Sequence, residues 1–120
     1  MAIPIKRKDD YMNVVAFVGT IVDAPVLRES NVGNKYAIMD VEVKRAFPNS
    51  EGIYEYDVLS VTLWKGIAQT TADVAKKGDQ VAIKGRIQSH VYEGNDGRKY
   101  RGYDIFAEQI SFLRENISSI

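Results

Sequence analysis

Apolar and polar side chains alternate over most of this chain, and the period of the alternation sorts it into elements. Residues 35–45 (KYAIMDVEVKR) put Ala37, Met39, Val41 and Val43 on one face and Tyr36, Ile38, Asp40, Glu42 and Lys44 on the other. This is the two-residue period of a strand that covers a core with one side. Residues 54–64 (YEYDVLSVTLW) repeat the pattern, with Leu59, Val61 and Leu63 opposite Val58, Ser60, Thr62 and Trp64. Residues 79–93 (DQVAIKGRIQSHVYE) turn Val81, Ile83 and Ile87 inward and leave Lys84, Arg86, Gln88, His90 and Tyr92 on the other side. Gly85 takes an inward position without a side chain, which predicts a sharply coiled strand. A turn at Asn95, Asp96 and Gly97 leads to a last strand from residue 99 to about 113, making a protruding hairpin. The opening run at residues 13–22 (NVVAFVGTIV) is instead apolar on both faces around Gly19. It predicts a doubly buried strand with a bulge or bend at the glycine.

Helical spacing occurs once. Ile67, Ala68, Thr71, Val74 and Ala75 recur at helical intervals between Gly66 and Gly78, predicting a helix of about three turns. Lys76 and Lys77 favour its carboxyl end, and Gly78 suits the residue just past it. Loops fall at residues 23–34, which hold Pro25 and Gly33, and at the PNSEG cluster of residues 48–52. The order is three strands, one helix, two strands. A sheet of short, glycine-bent strands must close to remove its edges, which predicts an all-β, five-stranded OB-fold barrel with one short helix between strands 3 and 4.

The chain has 120 residues, enough for one domain with its own core. The domain is expected over residues 13–114, after a charged, flexible leader at 1–12 and before a short end at 115–120 that carries no acidic tail. The leader holds Lys6, Arg7 and Lys8, which could add a weak phosphate contact. No apolar run approaches the roughly 20 residues of a membrane span, and the amino terminus carries no signal-peptide core, so an intracellular, cytoplasmic protein without a membrane partner is expected. With no cysteine there is no disulfide and no thiolate metal site. His90 is the single histidine, adjacent Ser89 points to the opposite strand face, and the glycines form no phosphate-cradling motif. No catalysis, metal or cofactor is expected, and His90 fits a solvated face or a nucleic-acid contact.

Sixteen basic residues balance sixteen acidic ones, so a polyanion could be held only by a local cluster of cations. Such clusters interleave with aromatics: Lys44, Arg45 and Phe47; Tyr54, Tyr56 and Trp64; Lys84, Arg86 and Tyr92; and Arg98, Lys99 and Arg101 at the hairpin. Single-stranded nucleic acid needs this pairing, because cations track phosphates while rings stack on unpaired bases. Tyr54 and Tyr56 equally fit cross-strand pairing, and Trp64 fits packing beside the helix.

These segments together resemble the bacterial single-stranded DNA-binding proteins over residues 12–114. MNVVAFVGTIVDAPVLR is similar to that family's first strand and DPELR loop, with Ala24 in place of an aspartate. KRAFPNSEG, LSVTLWKGIAQ and KKGDQVAIKGRIQSHVYEGNDG follow in the family's order and spacing. The resemblance implies assembly through the first strand into dimers and usually tetramers, with DNA wrapped over the barrels. It places the stacking aromatics at Phe47, Trp64 and Tyr92. A fourth falls on Val58, where Tyr56 on the same strand face is the available substitute, and Asp40 and Glu42 put acid where the family is neutral. The chain ends at Ile120 without the family's long acidic-tipped tail, so recruitment of enzymes through such a tail is not expected. This leaves two functions open: sequence-independent binding and protection of single-stranded DNA in replication, recombination or repair, and an OB-fold adaptor acting through protein contacts in a primosome-like complex.

Overall fold

The computed structural model describes residues 12–113; the leader and the carboxyl-terminal end lie outside the described residues. The elements in chain order are β1 (Val15–Ile21), β2 (Arg28–Glu29), β3 (Lys35–Lys44), β4 (Tyr56–Trp64), α1 (Lys65–Val74), β5 (Gln80–Glu93) and β6 (Lys99–Phe112). Five long strands run in the order β1-β5-β6-β4-β3, and β1 pairs again with β3 to close the ring. The two-residue β2, absent from the alternation pattern, adds to the outer edge of β3. The OB-fold arrangement is therefore the observed one, with α1 between β4 and β5. The inward set Ala37, Met39, Val41, Val61, Leu63, Val81 and Ile83 is buried, joined by Ile21, Ala68 and Ala107.

Two glycines let the ring close. At Gly19, β1 passes from β5 onto β3, and a Cβ there would sit 2.5 Å from the Glu42 carbonyl oxygen and 2.6 Å from Val41 Cγ1. The β1–β5 ladder nevertheless runs through Gly19 without a register shift, so of the bulge or bend expected at this residue the bulge is absent. It lies instead between β5 and β6, where Lys84 faces Gln109 and Gly85 faces Ala107, leaving Glu108 as the extra residue. A Cβ on Gly85 would stand 1.9 Å from the Phe106 carbonyl oxygen. The coil predicted at Gly85 is thus a close approach of two backbones.

Past that bulge β6 still pairs with β4 at Ile105 and Phe106, and only beyond these residues do β5 and β6 continue as a two-stranded arm. The expectation for Ile87 is corrected: at the base of the arm, opposite Ile105, it is 38% exposed. The Asn13 side chain closes the junction, donating to the Ile87 carbonyl at 2.7 Å and accepting from the Ile87 N–H at 2.9 Å. The first strand is likewise not doubly buried within one chain. Ile21 is covered, but Val14 and Val18 are 56% and 50% exposed.

The helix lies slightly toward the amino-terminal side of the stretch its periodicity marked. It starts at Lys65, directly after Trp64, and so contains Gly66. Lys65 takes a φ of 52° to turn the chain out of β4. The helix stops at Val74, which is exposed, and Ala75 donates its N–H to the Thr71 carbonyl. Lys76, Lys77 and Gly78 therefore lie beyond the helix. They belong to a turn in which the Asp79 side chain accepts from the Lys76 N–H at 2.9 Å and Gly78 donates to the Ile21 carbonyl at 2.8 Å. This ties the helix exit to β1.

Candidate nucleic-acid interface

Strand pairing decides which outward side chains become neighbours. Along β3 and β4, Tyr36 faces Trp64, Ile38 faces Thr62, Asp40 faces Ser60, Glu42 faces Val58 and Lys44 faces Tyr56. The short parallel pairing of β4 with β6 sets Thr62 beside Phe106. Across β6 and β5, Phe106 meets Arg86, Asp104 meets Gln88, Gly102 meets His90 and Tyr100 meets Tyr92. Because directly paired residues share a face, these side chains form one continuous outer surface from β3 across the barrel and along the arm.

Rings and cations touch along this surface. The Tyr36 and Trp64 ring centroids are 5.6 Å apart. The Arg86 guanidinium lies over Phe106 at 4.9 Å and pairs with Glu108 at 3.3 Å. On the arm, Tyr92 stacks on Tyr100 and tilts against His90, both at 5.8 Å between centroids. His90 Nδ1 lies 2.8 Å from Asp104 Oδ2. At the other end, Lys44 Nζ sits 4.3 Å above the Tyr54 ring, with Tyr56 exposed beside it. A groove of about 430 Å³ lies between Tyr36, Ile38, Trp64 and Phe106, with Thr62 and Asp104 also in its lining.

The structure brings together Lys44, Tyr54, Tyr56, Trp64, Arg86 and Tyr92 from the predicted set. Phe47 stands apart, 83% exposed on the loop after β3. That loop is braced by the Asn49 side chain, which accepts from the N–H groups of Glu51 and Ile53. The other basic residues spread over different parts of the molecule. Arg45 projects to the opposite side, where its guanidinium forks onto Asp57 at 2.9 and 3.1 Å and reaches Glu55 at 3.4 Å. The hydrogen bond with Asp57 holds the Arg45 pKa above its ordinary value and the Asp57 pKa below its own. Lys84 pairs with Ala16 and stands on the β1 flank. Lys99 and Arg101 pair with Glu93 and Val91, so they lie on the face of the arm opposite Tyr92. Arg98 is in the hairpin turn, where Asp96 accepts from its N–H and from the Tyr100 hydroxyl, an arrangement that depresses the Asp96 pKa.

Tyr36, Phe106 and Tyr100 were not in the predicted set. Alternation alone had already put Tyr36 on the outward face. Phe106 and Tyr100 share a parity with Asp104, but only the register with β5 shows that this parity is the Arg86 side. The acidic pair is where it was expected: Asp40 and Glu42 are exposed on this surface, with the Ser60 hydroxyl donating to Asp40 at 2.6 Å.

The closed ring of five strands thus gathers aromatic and cationic groups on an open outer face rather than in a cleft. Residues 12–113 match the model of the single-strand binding protein family. Among similar proteins, single-stranded DNA-binding protein 3 of Listeria innocua is 36% identical over 102 residues, covering 85% of this chain and 64% of that protein. Single-stranded DNA-binding protein B of Bacillus subtilis is 34% identical over 101 residues, covering 84% of this chain and 89% of that protein. The chain belongs to the single-strand binding protein family. It spans about three-fifths of the length of several of the relatives it matches, such as the Bacillus cereus single-stranded DNA-binding protein at 60%. Among the described residues there is no cluster of three metal-ligating side chains and no helix long and apolar enough to cross a membrane.

Proposed function

We propose that this protein binds single-stranded DNA without reading its sequence, holding and protecting strands exposed in the cytoplasm during replication, recombination or repair. The observation that supports this most is the unbroken outer face running from Tyr36 and Trp64 through Phe106 and Arg86 to Tyr92 and Tyr100. Bases stack on the rings, including exposed Phe47, while Lys44, Lys84 and Arg86 meet phosphates. Lys99, Arg101 and Arg98 can reach only a strand that crosses the arm's edge or tip.

Binding is tested by titrating Trp64 fluorescence with oligo-dT at two salt concentrations. Quenching is expected, with log affinity falling as log salt rises by roughly 0.7 per phosphate neutralised. Replacing Lys84 and Arg86 together should lower that slope by up to roughly 1.4 and weaken all sequences alike, because phosphate contacts position a strand without specifying it. A salt-insensitive affinity rejects the backbone-tracking mechanism. The exposed carboxylates of Asp40 and Glu42, and the commitment of Arg45 to Asp57, favour a second reading as a protein-binding adaptor. Absence of quenching by any oligonucleotide would select it.

We further propose a homo-oligomer, a dimer or tetramer, formed through β1. Ala16 and Val18 leave an apolar strip exposed beside Ala82, and covering such a strip is the usual reason for one. Light scattering at micromolar concentration should show more than one chain, and Val18→Glu should shift the mass toward one. A wild-type monomer would remove the β1 interface.

A further inference from the structure

Arg45 and Glu55 are the first residues outside the β3–β4 ladder, one on each side of the loop that carries Phe47. Their backbones are still joined, since the Arg45 N–H donates to the Glu55 carbonyl at 2.9 Å. On one face of this neck Lys44 covers the Tyr54 ring. On the other, the Arg45 guanidinium reaches across from the β3 side and forks onto the two Asp57 carboxylate oxygens at 2.9 and 3.1 Å, with Glu55 at 3.4 Å. Two carboxylates around one guanidinium leave no surplus positive charge for a phosphate.

Such a fork contributes little to folding, because both side chains are about half exposed. What two parallel bonds to a planar guanidinium supply is direction: they fix the angle at which the two sides of the loop leave the sheet. Farther out, the Asn49 side chain accepts from the Glu51 and Ile53 N–H groups and ties the tip. Phe47 is exposed between these two ties. A ring that has to be ordered when a base arrives costs affinity, and one already presented does not. We propose that Arg45 is a positioning residue for single-stranded DNA: clamped to Asp57, it holds the neck of the loop so that Phe47 is presented to a base, and it meets no phosphate itself. The inference rests on the single-stranded DNA reading above.

The test titrates end-labelled oligo-dT with the full chain by fluorescence anisotropy at several salt concentrations. Asp57→Ala removes a carboxylate, which by charge alone would tighten binding of a polyanion. The clamp predicts the opposite sign, a weakening of about two- to tenfold, the order of ordering one side chain on binding. Arg45→Ala should weaken binding to a similar extent and leave the salt slope where it is, whereas loss of a phosphate contact would lower the slope by roughly 0.7. Arg45→Lys keeps the charge and loses the fork, so it should weaken binding too, and it carries the test if Asp57→Ala does not fold. Once Phe47→Ala has removed the ring, Asp57→Ala should cost no further affinity. Unchanged or tighter binding by the folded clamp variants, a slope lowered in Arg45→Ala, or losses that simply add to that of Phe47→Ala would each overturn the clamp and leave the general DNA-binding reading intact. Failure of the wild type to bind oligo-dT at any salt concentration overturns both.

Discussion

Replacing Trp64 with alanine is expected to weaken oligo-dT binding by about 1 to 3 kcal/mol while the barrel stays folded. Trp64 is the last residue of β4, 38% exposed, with its ring against Tyr36 rather than in the core. The inward residue before it, Leu63, is fully buried and carries the packing that holds β4 in place. Removing the indole therefore strips one stacking surface from a preformed face. Because Trp64 is the sole tryptophan, the variant must be followed by anisotropy or calorimetry instead of intrinsic fluorescence. An affinity that does not change in a folded variant would assign Trp64 to packing against Tyr36 and the helix, and would move the stacking track toward Phe47 and the arm.

Gly85→Ala should be the most damaging single-methyl change in the barrel. The added carbon meets the Phe106 carbonyl oxygen at 1.9 Å and Ala107 Cα at 3.1 Å, and both are backbone atoms that cannot rotate away. Relief requires β5 and β6 to separate at the bulge. Overpacking of this kind costs about 3 kcal/mol or more, which for a domain of about 100 residues lowers Tm by roughly 12 to 24 °C. DNA binding should fall with it even where the protein remains folded, since Arg86 and Phe106 face each other one pair beyond the bulge. Thermal unfolding followed by circular dichroism checks the first effect. A Tm within a few degrees of wild type would show that the strands can part at no great expense and that the close approach is not needed for closure.

Much of the architecture was legible because a half-buried strand writes its orientation into every second residue. Ala37, Met39, Val41, Val61, Leu63, Val81 and Ile83 were assigned inward and are buried. The errors cluster where alternation continues but a covering layer does not. Ile87 has the parity of a core residue, yet it lies at the base of the arm and is 38% exposed. Val74 keeps helical spacing at the last turn, where the helix has already reached solvent. The apolar run of β1 predicted burial on two faces, and one chain supplies cover for only one.

The same division explains the candidate site. Residue order and parity by themselves determined the strand and helix sequence, the all-β class, the inward set, and the outward position of Tyr36, Trp64, Arg86 and Tyr92, because those depend on a period of two along one strand. Tertiary structure decided what lies beside what. It set Phe106 between Thr62 and Arg86, put Lys99 and Arg101 on the face of the arm opposite Tyr92, and committed Arg45 to Asp57. These outcomes depend on the register between strands distant in the chain. That register is fixed by ring closure at Gly19 and by the extra residue opposite Gly85, where only a backbone without a side chain can pass close to its neighbour.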